Sequence, residues 1–139
     1  MKTAVHFSSK TDDWATPQDL FDEICDGFKI VFDVDVCASK ENAKVPMFWS
    51  KEQDGLKQDW TGLKCWMNPP YGREIGKWVD KAATGGAETV VALLPARTDT
   101  KWFHKWIYKK AEILFIGGRV KFGGHKNCAP FPSMIVIFK

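Results

Sequence analysis

No stretch of this 139-residue chain approaches the roughly 20 consecutive apolar residues of a membrane-spanning helix, so a membrane role is set aside. The first residues, MKTAVHFSSKTDDW, lack the apolar core of a secretory signal, which points to the cytoplasm. Histidine is scarce, with only His6, His104 and His125, and the four cysteines (Cys25, Cys37, Cys65, Cys128) show no C-x-x-C spacing. No metal site is therefore expected, and in a reducing compartment the cysteines read as free thiols. Charge of one sign is also lacking. A net +3 without a basic run permits nucleic-acid binding but does not argue for it. Repeats, low-complexity tracts and Pro/Ser-rich linkers are absent, and the length is close to that of one domain whose core needs no disulfides.

What is abundant is aromatic. Seven Trp and ten Phe exceed what a core of this size normally holds, so some are expected at the surface, able to stack on a ligand. Core filling is the equally weighted alternative.

Residues 1–13 read as a loose polar arm and residues 14–139 as a single domain. A helix is predicted from Thr16 as N-cap and Pro17 as first helical residue, through Leu20, Phe21 and Ile24, stopping at Gly27. Residues 29–36 (KIVFDVDV) predict a strand, and 40–62 a loop with short elements. A short strand, 64–67, runs into Asn68-Pro69-Pro70-Tyr71, where two prolines forbid its continuation. A helix fits 73–84, with Ile75, Trp78, Val79 and Ala82 on one face. TVVALLP (89–95) reads as a strand buried on both sides. An aromatic-rich helix over 100–110, a strand over 111–116, a turn at Gly117-Gly118 into RVKF, and a closing strand SMIVIFK complete the chain. This alternation predicts an α/β fold: a mostly parallel sheet with a β-hairpin-like C-terminal end and its functional loops along one edge.

The Asn-Pro-Pro-Tyr loop sits where an open α/β sheet builds its ligand crevice. Prolines stiffen the loop and remove two N–H donors, leaving carbonyls as acceptors. The Asn68 carboxamide oxygen and the Pro69 carbonyl could both accept from one planar amino group, while Tyr71 offers a flat face for a planar ring. Such a cradle presents an amine lone pair to an electrophile without a strong base. The alternative for four residues is a rigid structural turn.

Further segments accompany this loop: Trp14-Ala15-Thr16-Pro17, Phe32-Asp33-Val34-Asp35-Val36-Cys37-Ala38, Asn42-Ala43-Lys44, Asp54-Gly55-Leu56 with Asp59-Trp60, Leu94-Pro95-Ala96-Arg97-Thr98-Asp99-Thr100, Gly118-Arg119-Val120-Lys121-Phe122 and Ala129-Pro130-Phe131-Pro132-Ser133. In this order they make the chain from Trp14 to Phe138 resemble the phage-type DNA N-6-adenine methyltransferases, which depend on S-adenosylmethionine and have a compact Rossmann-like fold. The resemblance implies that Asn68, Pro69, Pro70 and Tyr71 hold a flipped adenine of DNA. It places Asp35, with Asp33 one pleat away, and Ala38 near the methyl donor. It sets Thr16 and Pro17 at the donor's amino-acid moiety, and Asp54 or Asp59 at its adenosine. For a phage-encoded member it implies action in the host cytoplasm.

Two departures stand out. Asp35-Val36-Cys37-Ala38-Ser39 has none of the glycines that usually follow the first strand. Only 33 residues separate Asp35 from Asn68, barely one β-α-β unit of about 30, so helices of the usual fold are reduced. No stretch is free for a separate target-recognition domain, which leaves weak sequence specificity, or a homodimer sharing DNA contacts, as the options.

Bland readings compete at several positions. One of Asp33 and Asp35 faces water at a strand end. Arg97 and Asp99 form either a solvated pair or contacts around the crevice. Arg119 and Lys121, two apart, share a face suited to phosphates or a plain exposed edge. Trp102 and Trp106 are expected in the core. Other classes remain: methyl transfer to adenine in RNA, to cytosine N4 or to a glutamine amide, each a planar amine, and a non-catalytic nucleic-acid-binding domain.

Overall fold

The uncharged run 89–95 becomes the middle of the molecule. In the computed structural model, which describes residues 14–139, it is the central strand of a five-stranded sheet. Numbered along the chain, the strands are β1 (Val34–Asp35), β2 (Lys64–Met67), β3 (Thr89–Pro95), β4 (Glu112–Phe115) and β5 (Ser133–Phe138). Their spatial order is β1-β2-β3-β5-β4. The first three are parallel, whereas β5 runs antiparallel to β3 and β4 antiparallel to β5. β4 therefore points the same way as β1–β3 and β5 alone is reversed, so the sheet is mostly parallel, as expected, with one antiparallel strand inserted between β3 and β4. The C-terminal end differs from a tight hairpin, because residues 116–132 separate β4 from β5. The expected arm, residues 1–13, lies outside the described residues.

Strand β5 is buried along its whole length and β3 everywhere but Thr89, and the two pair from Val90↔Phe138 to Pro95↔Ser133. Side chains such as Leu93, Leu94 and Met134 have no exposed surface. Burying each contributes about 1.5–3 kcal/mol, which makes this pair the anchor of the core. At the other side the strand predicted over 29–36 shrinks to two residues. Its pairing begins only where Asp33 N–H donates to the Lys64 carbonyl and the Asp33 carboxylate accepts the Lys64 N–H, both at 2.8 Å. The outer edge of β1 is covered by residues 47–49, through Asp35 N–H to the Met47 carbonyl and Trp49 N–H to the Asp35 carbonyl.

Among the described residues there are two α-helices: α1 (Gln18–Phe28) and α2 (Ile75–Thr84). Helix α1 buries Phe21 and Ile24, and Phe21 meets Trp66 of β2 edge-on at 5.1 Å. Pro17, not Thr16, is its N-cap, and no side chain caps it. The helix passes Gly27 and ends where Lys29 takes the left-handed conformation at φ 52°. Helix α2 buries Ile75, Trp78, Val79 and Ala82, the face read from its spacing.

The aromatic segment is helical but wider than predicted. Phe103–Ile107 is a π-helix, with the five-residue bond from Tyr108 N–H to the Phe103 carbonyl at 2.8 Å. The run RVKF forms no strand, although Val120 and Phe122 are buried. Most of the tryptophan is core: Trp14, Trp49, Trp60, Trp66 and Trp78 are buried, while Trp102 and Trp106 pack on the core half-buried. Among the described residues most of the aromatic surplus is therefore absorbed inside, with Phe115 and Tyr108 as exposed exceptions. Among the described residues no helix is long and apolar enough to cross a membrane.

Candidate functional site

Strand β2 ends at Met67 because Pro69 and Pro70 cannot continue its ladder, and Asn68 is the first residue released. Its carboxamide is held by the segment before α1. Asn68 Nδ2 donates to the Trp14 carbonyl and, at 2.9 Å, to Thr16 Oγ1. The Trp14 carbonyl can only accept, which fixes the amide: turned over, Asn68 Oδ1 would face another acceptor. This long-range demand on Thr16 is why it does not cap α1. Asn68 Oδ1, on the opposite side, is buried and has no partner. Leaving such an acceptor unmet costs about 1–3 kcal/mol, so the site holds an unmet demand for a donor. A second buried group without a partner is the Trp14 indole N–H, a donor.

Asn68 and Trp14 line a cavity of about 1050 Å³ at the carboxyl ends of β1 and β2, with Thr16, Pro69 and Pro70 beside them. Its far wall is residues 37–56, which contribute Cys37, Ala38, Lys44, Trp49, Asp54 and Gly55. Local side-chain turns hold that wall: Ser39 N–H to Asn42 Oδ1, Ser50 N–H to Gln53 Oε1 and Leu56 N–H to Asp54 Oδ1. Gly55 explains the glycine-free sequence after β1. A Cβ there would lie 2.0 Å from the Val36 carbonyl oxygen. The close backbone approach at the end of β1 is thus supplied by a glycine 19 residues later.

Asp35, 2% exposed, is the buried charged group among the residues that line this cavity. Its carboxylate accepts the N–H of Lys44 at 3.0 Å and of Cys37 at 3.3 Å. Burial outweighs both bonds and the Lys44 charge, and its pKa is pushed up to about 6. At neutral pH it is ionised, in a place that disfavours ionisation. A cation is the ligand such a carboxylate favours.

The structure brings together Thr16, Asp35, Ala38, Asp54, Asn68, Pro69 and Pro70 on one cavity. Other predicted residues lie off it. Pro17 starts α1. The Asp33 carboxylate is engaged in joining β1 to β2. Asp59 is an exposed turn residue accepting the Thr61 N–H at 2.9 Å, and its bonds to Thr61 hold its pKa below the usual carboxylate value. Tyr71, expected to offer a flat face, is 3% exposed. Its hydroxyl donates to the Leu93 carbonyl at 2.8 Å, and its ring meets Phe122 and Phe131 edge-on. Burial raises its pKa well above the usual phenol value. Arg97 ties the Tyr71 carbonyl at 3.1 Å from the loop after β3. Arg119 and Lys121 are exposed on the connection to β5, which is not a strand there.

The model of the DNA N-6-adenine-methyltransferase (Dam) family matches residues 3–139. The chain belongs to that family. A DNA N-6-adenine-methyltransferase of Haemophilus phage HP1 is 37% identical over 140 residues, covering 94% of this chain and 80% of the relative. Another, from Escherichia phage T1, is 33% identical over 109 residues, 76% of this chain but 44% of the larger protein. For a Dam-family chain, sequence reasoning missed the Trp14 indole N–H, Lys44 and Trp78 as cavity residues. Trp14 stood in a quoted segment, but nothing in a sequence reveals that an indole N–H is left without a partner.

Proposed function

We propose that the protein transfers a methyl group from S-adenosylmethionine to the N6 amino group of adenine in DNA. The observation that carries this is the fixed Asn68 carboxamide, whose enclosed oxygen lacks a donor on the wall of a large cavity. An exocyclic amine provides that donor. The Trp14 indole N–H, unpartnered in the same cavity, suits the ring nitrogen beside the amine. Such an acceptor–donor pair fits the edge of adenine and equally that of cytosine, and membership of the Dam family favours adenine in DNA.

S-adenosylmethionine supplies an electrophilic methyl on a sulfonium cation. The cavity fits it, with volume for a ligand of that size and a buried carboxylate, Asp35, favouring positive charge. Thr16, Asp35, Ala38 and Asp54 are the residues that would hold it. Asn68 draws on the amine hydrogens and concentrates the nitrogen lone pair, with Pro69 and Pro70 stiffening the loop. Positioning is then the main contribution of the protein. Tyr71 supports the loop from inside, through Leu93 and the phenylalanine cluster. The adenine must leave the duplex to reach this pocket. We infer further that the sheet is a shortened Rossmann-like methyltransferase sheet, its crossovers reduced to loops between β1 and β2, and that the reaction takes place in the host cytoplasm.

Expression in a methylation-deficient bacterium beside Asn68→Ala, with methylated nucleosides of DNA and RNA quantified by mass spectrometry, tests the reading. N6-methyladenine is expected in DNA from the wild type and not from the variant, while the variant still binds S-adenosylmethionine in calorimetry. Methylation surviving in Asn68→Ala would refute the role of the carboxamide, and modified RNA alone would refute the substrate.

A further inference from the structure

The charge of the chain is segregated. Residues 14–96 hold nine Lys and Arg against thirteen Asp and Glu, a net of −4; residues 97–139 hold nine against two, a net of +7. The small overall charge conceals this. Within the positive part, the segment 101–110 contains four lysines and no acid. Its π-helix buries Phe103 and Ile107, while Lys105 on it and Lys101, Tyr108, Lys109 and Lys110 beside it are exposed. Among the described residues the ion pairs are Lys64–Glu88 and Lys77–Glu74, so none of these lysines is neutralised by a carboxylate. Lys105 lies over the Trp106 ring at 5.0 Å and Lys109 over Tyr108 at 5.4 Å. Tyr108 is itself 49% exposed.

This ridge is seated against the site. Trp102 packs over Gly76 in the first turn of α2, where an added Cβ would meet the indole at 3.6 Å. Glu74, two residues earlier, lines the cavity. Arg97, four residues before that segment, bonds the Tyr71 carbonyl. A π-helical turn is rare and is found frequently at functional sites. Here it carries lysines beside the mouth rather than into it.

We propose that the Lys101–Lys109 ridge is the docking surface for the phosphate backbone of duplex DNA flanking the extruded adenine. The inference rests on the DNA substrate read above and adds where the duplex lies. Lysine suits it, being a mobile point charge that contacts phosphate without reading sequence. The exposed Tyr108 face adds a stacking surface for a displaced base.

The test is fluorescence anisotropy of the full chain with a labelled unmethylated 30-base-pair duplex at several salt concentrations. Lys101→Gln/Lys105→Gln/Lys109→Gln is compared with Lys29→Gln/Lys57→Gln, a control on the acidic part. Three lost phosphate contacts lower the slope of log affinity against log salt by about 2.7 and weaken binding at low salt by about tenfold or more. The control keeps both. Affinity for S-adenosylmethionine is unchanged in every variant. If the triple variant melts earlier than wild type, Lys105→Gln alone carries the test, with an expected change in slope of about 0.9. A ridge variant matching wild type in slope and affinity would overturn the proposal while leaving methylation by the wild type intact. Absence of N6-methyladenine with the salt slope still dependent on the ridge would instead refute the enzymatic reading.

Discussion

Asp35 gives the sharpest test of the site, because its effect has a calculable sign. Its carboxyl is raised from an ordinary 3.8 to about 6 by burial, so the folded protein holds a proton there that the unfolded chain has released. Over that window the native state binds more protons, and stability falls as pH rises. The contribution is fully present below about pH 3.8 and lost through about pH 6. A rise of about two pH units, at 1.36 kcal/mol each, amounts to about 3 kcal/mol. Asp35→Asn removes the titration, although its amide must set a donor against the N–H of Lys44 or Cys37, which costs the variant a constant amount. The informative quantity is therefore the difference between wild type and variant, in which other titrating groups cancel. Urea denaturation of both at intervals from pH 4 to pH 7.5 should show wild type losing about 3 kcal/mol relative to the variant, mostly between pH 4 and 6.5. A difference that is flat, or that grows in favour of wild type as pH rises, would refute the account of a carboxylate held in an unfavourable environment.

Gly55→Ala places a Cβ 2.0 Å from the Val36 carbonyl oxygen and 3.1 Å from the Trp78 ring, with backbone on one side and a buried ring on the other. A loss of about 3 kcal/mol in chemical denaturation, with weakened S-adenosylmethionine binding, is expected; a variant as stable as wild type would show that the wall does not depend on this approach. Tyr71→Phe removes the hydroxyl bond to Leu93 and should cost about 1 kcal/mol while keeping most of the methylation rate. A collapse in rate without a change in stability would instead place Tyr71 at the base.

Elements with a period were legible in the sequence. The strands at 64–67 and 89–95 and the buried face of α2 follow from apolar spacing alone, and prolines mark the end of β2. The wall at 37–56 was not legible, because its bonds are side-chain turns with no repeat. Position 35 shows the limit of alternation: Asp33 and Asp35, two apart, fall on one face of the strand, and only the cover of residues 47–49 buries the second and leaves the first exposed. Thr16 has every local feature of an N-cap, yet its hydroxyl serves Asn68, 52 residues away. A local rule lost there to a distant partner. The π-helix escaped for a related reason, since its apolar spacing at 103 and 107 suits an α-helix equally well. Charge segregation was present in the sequence, but a net value averages it away.

The two edges of the sheet bear on how the protein behaves when concentrated. An edge strand is a template for pairing with another chain, and its hazard grows with length. Here one edge is β1, two residues long and already bonded to residues 47–49. The other is β4, four residues long, beginning with Glu112 and carrying the exposed side chains of Leu114 and Phe115, the latter 62% exposed. Self-association, where it occurs, therefore starts at β4, whose shortness and charge keep any intermolecular ladder brief. Both edges are thus short, and the sheet offers little backbone on which an intermolecular ladder can grow.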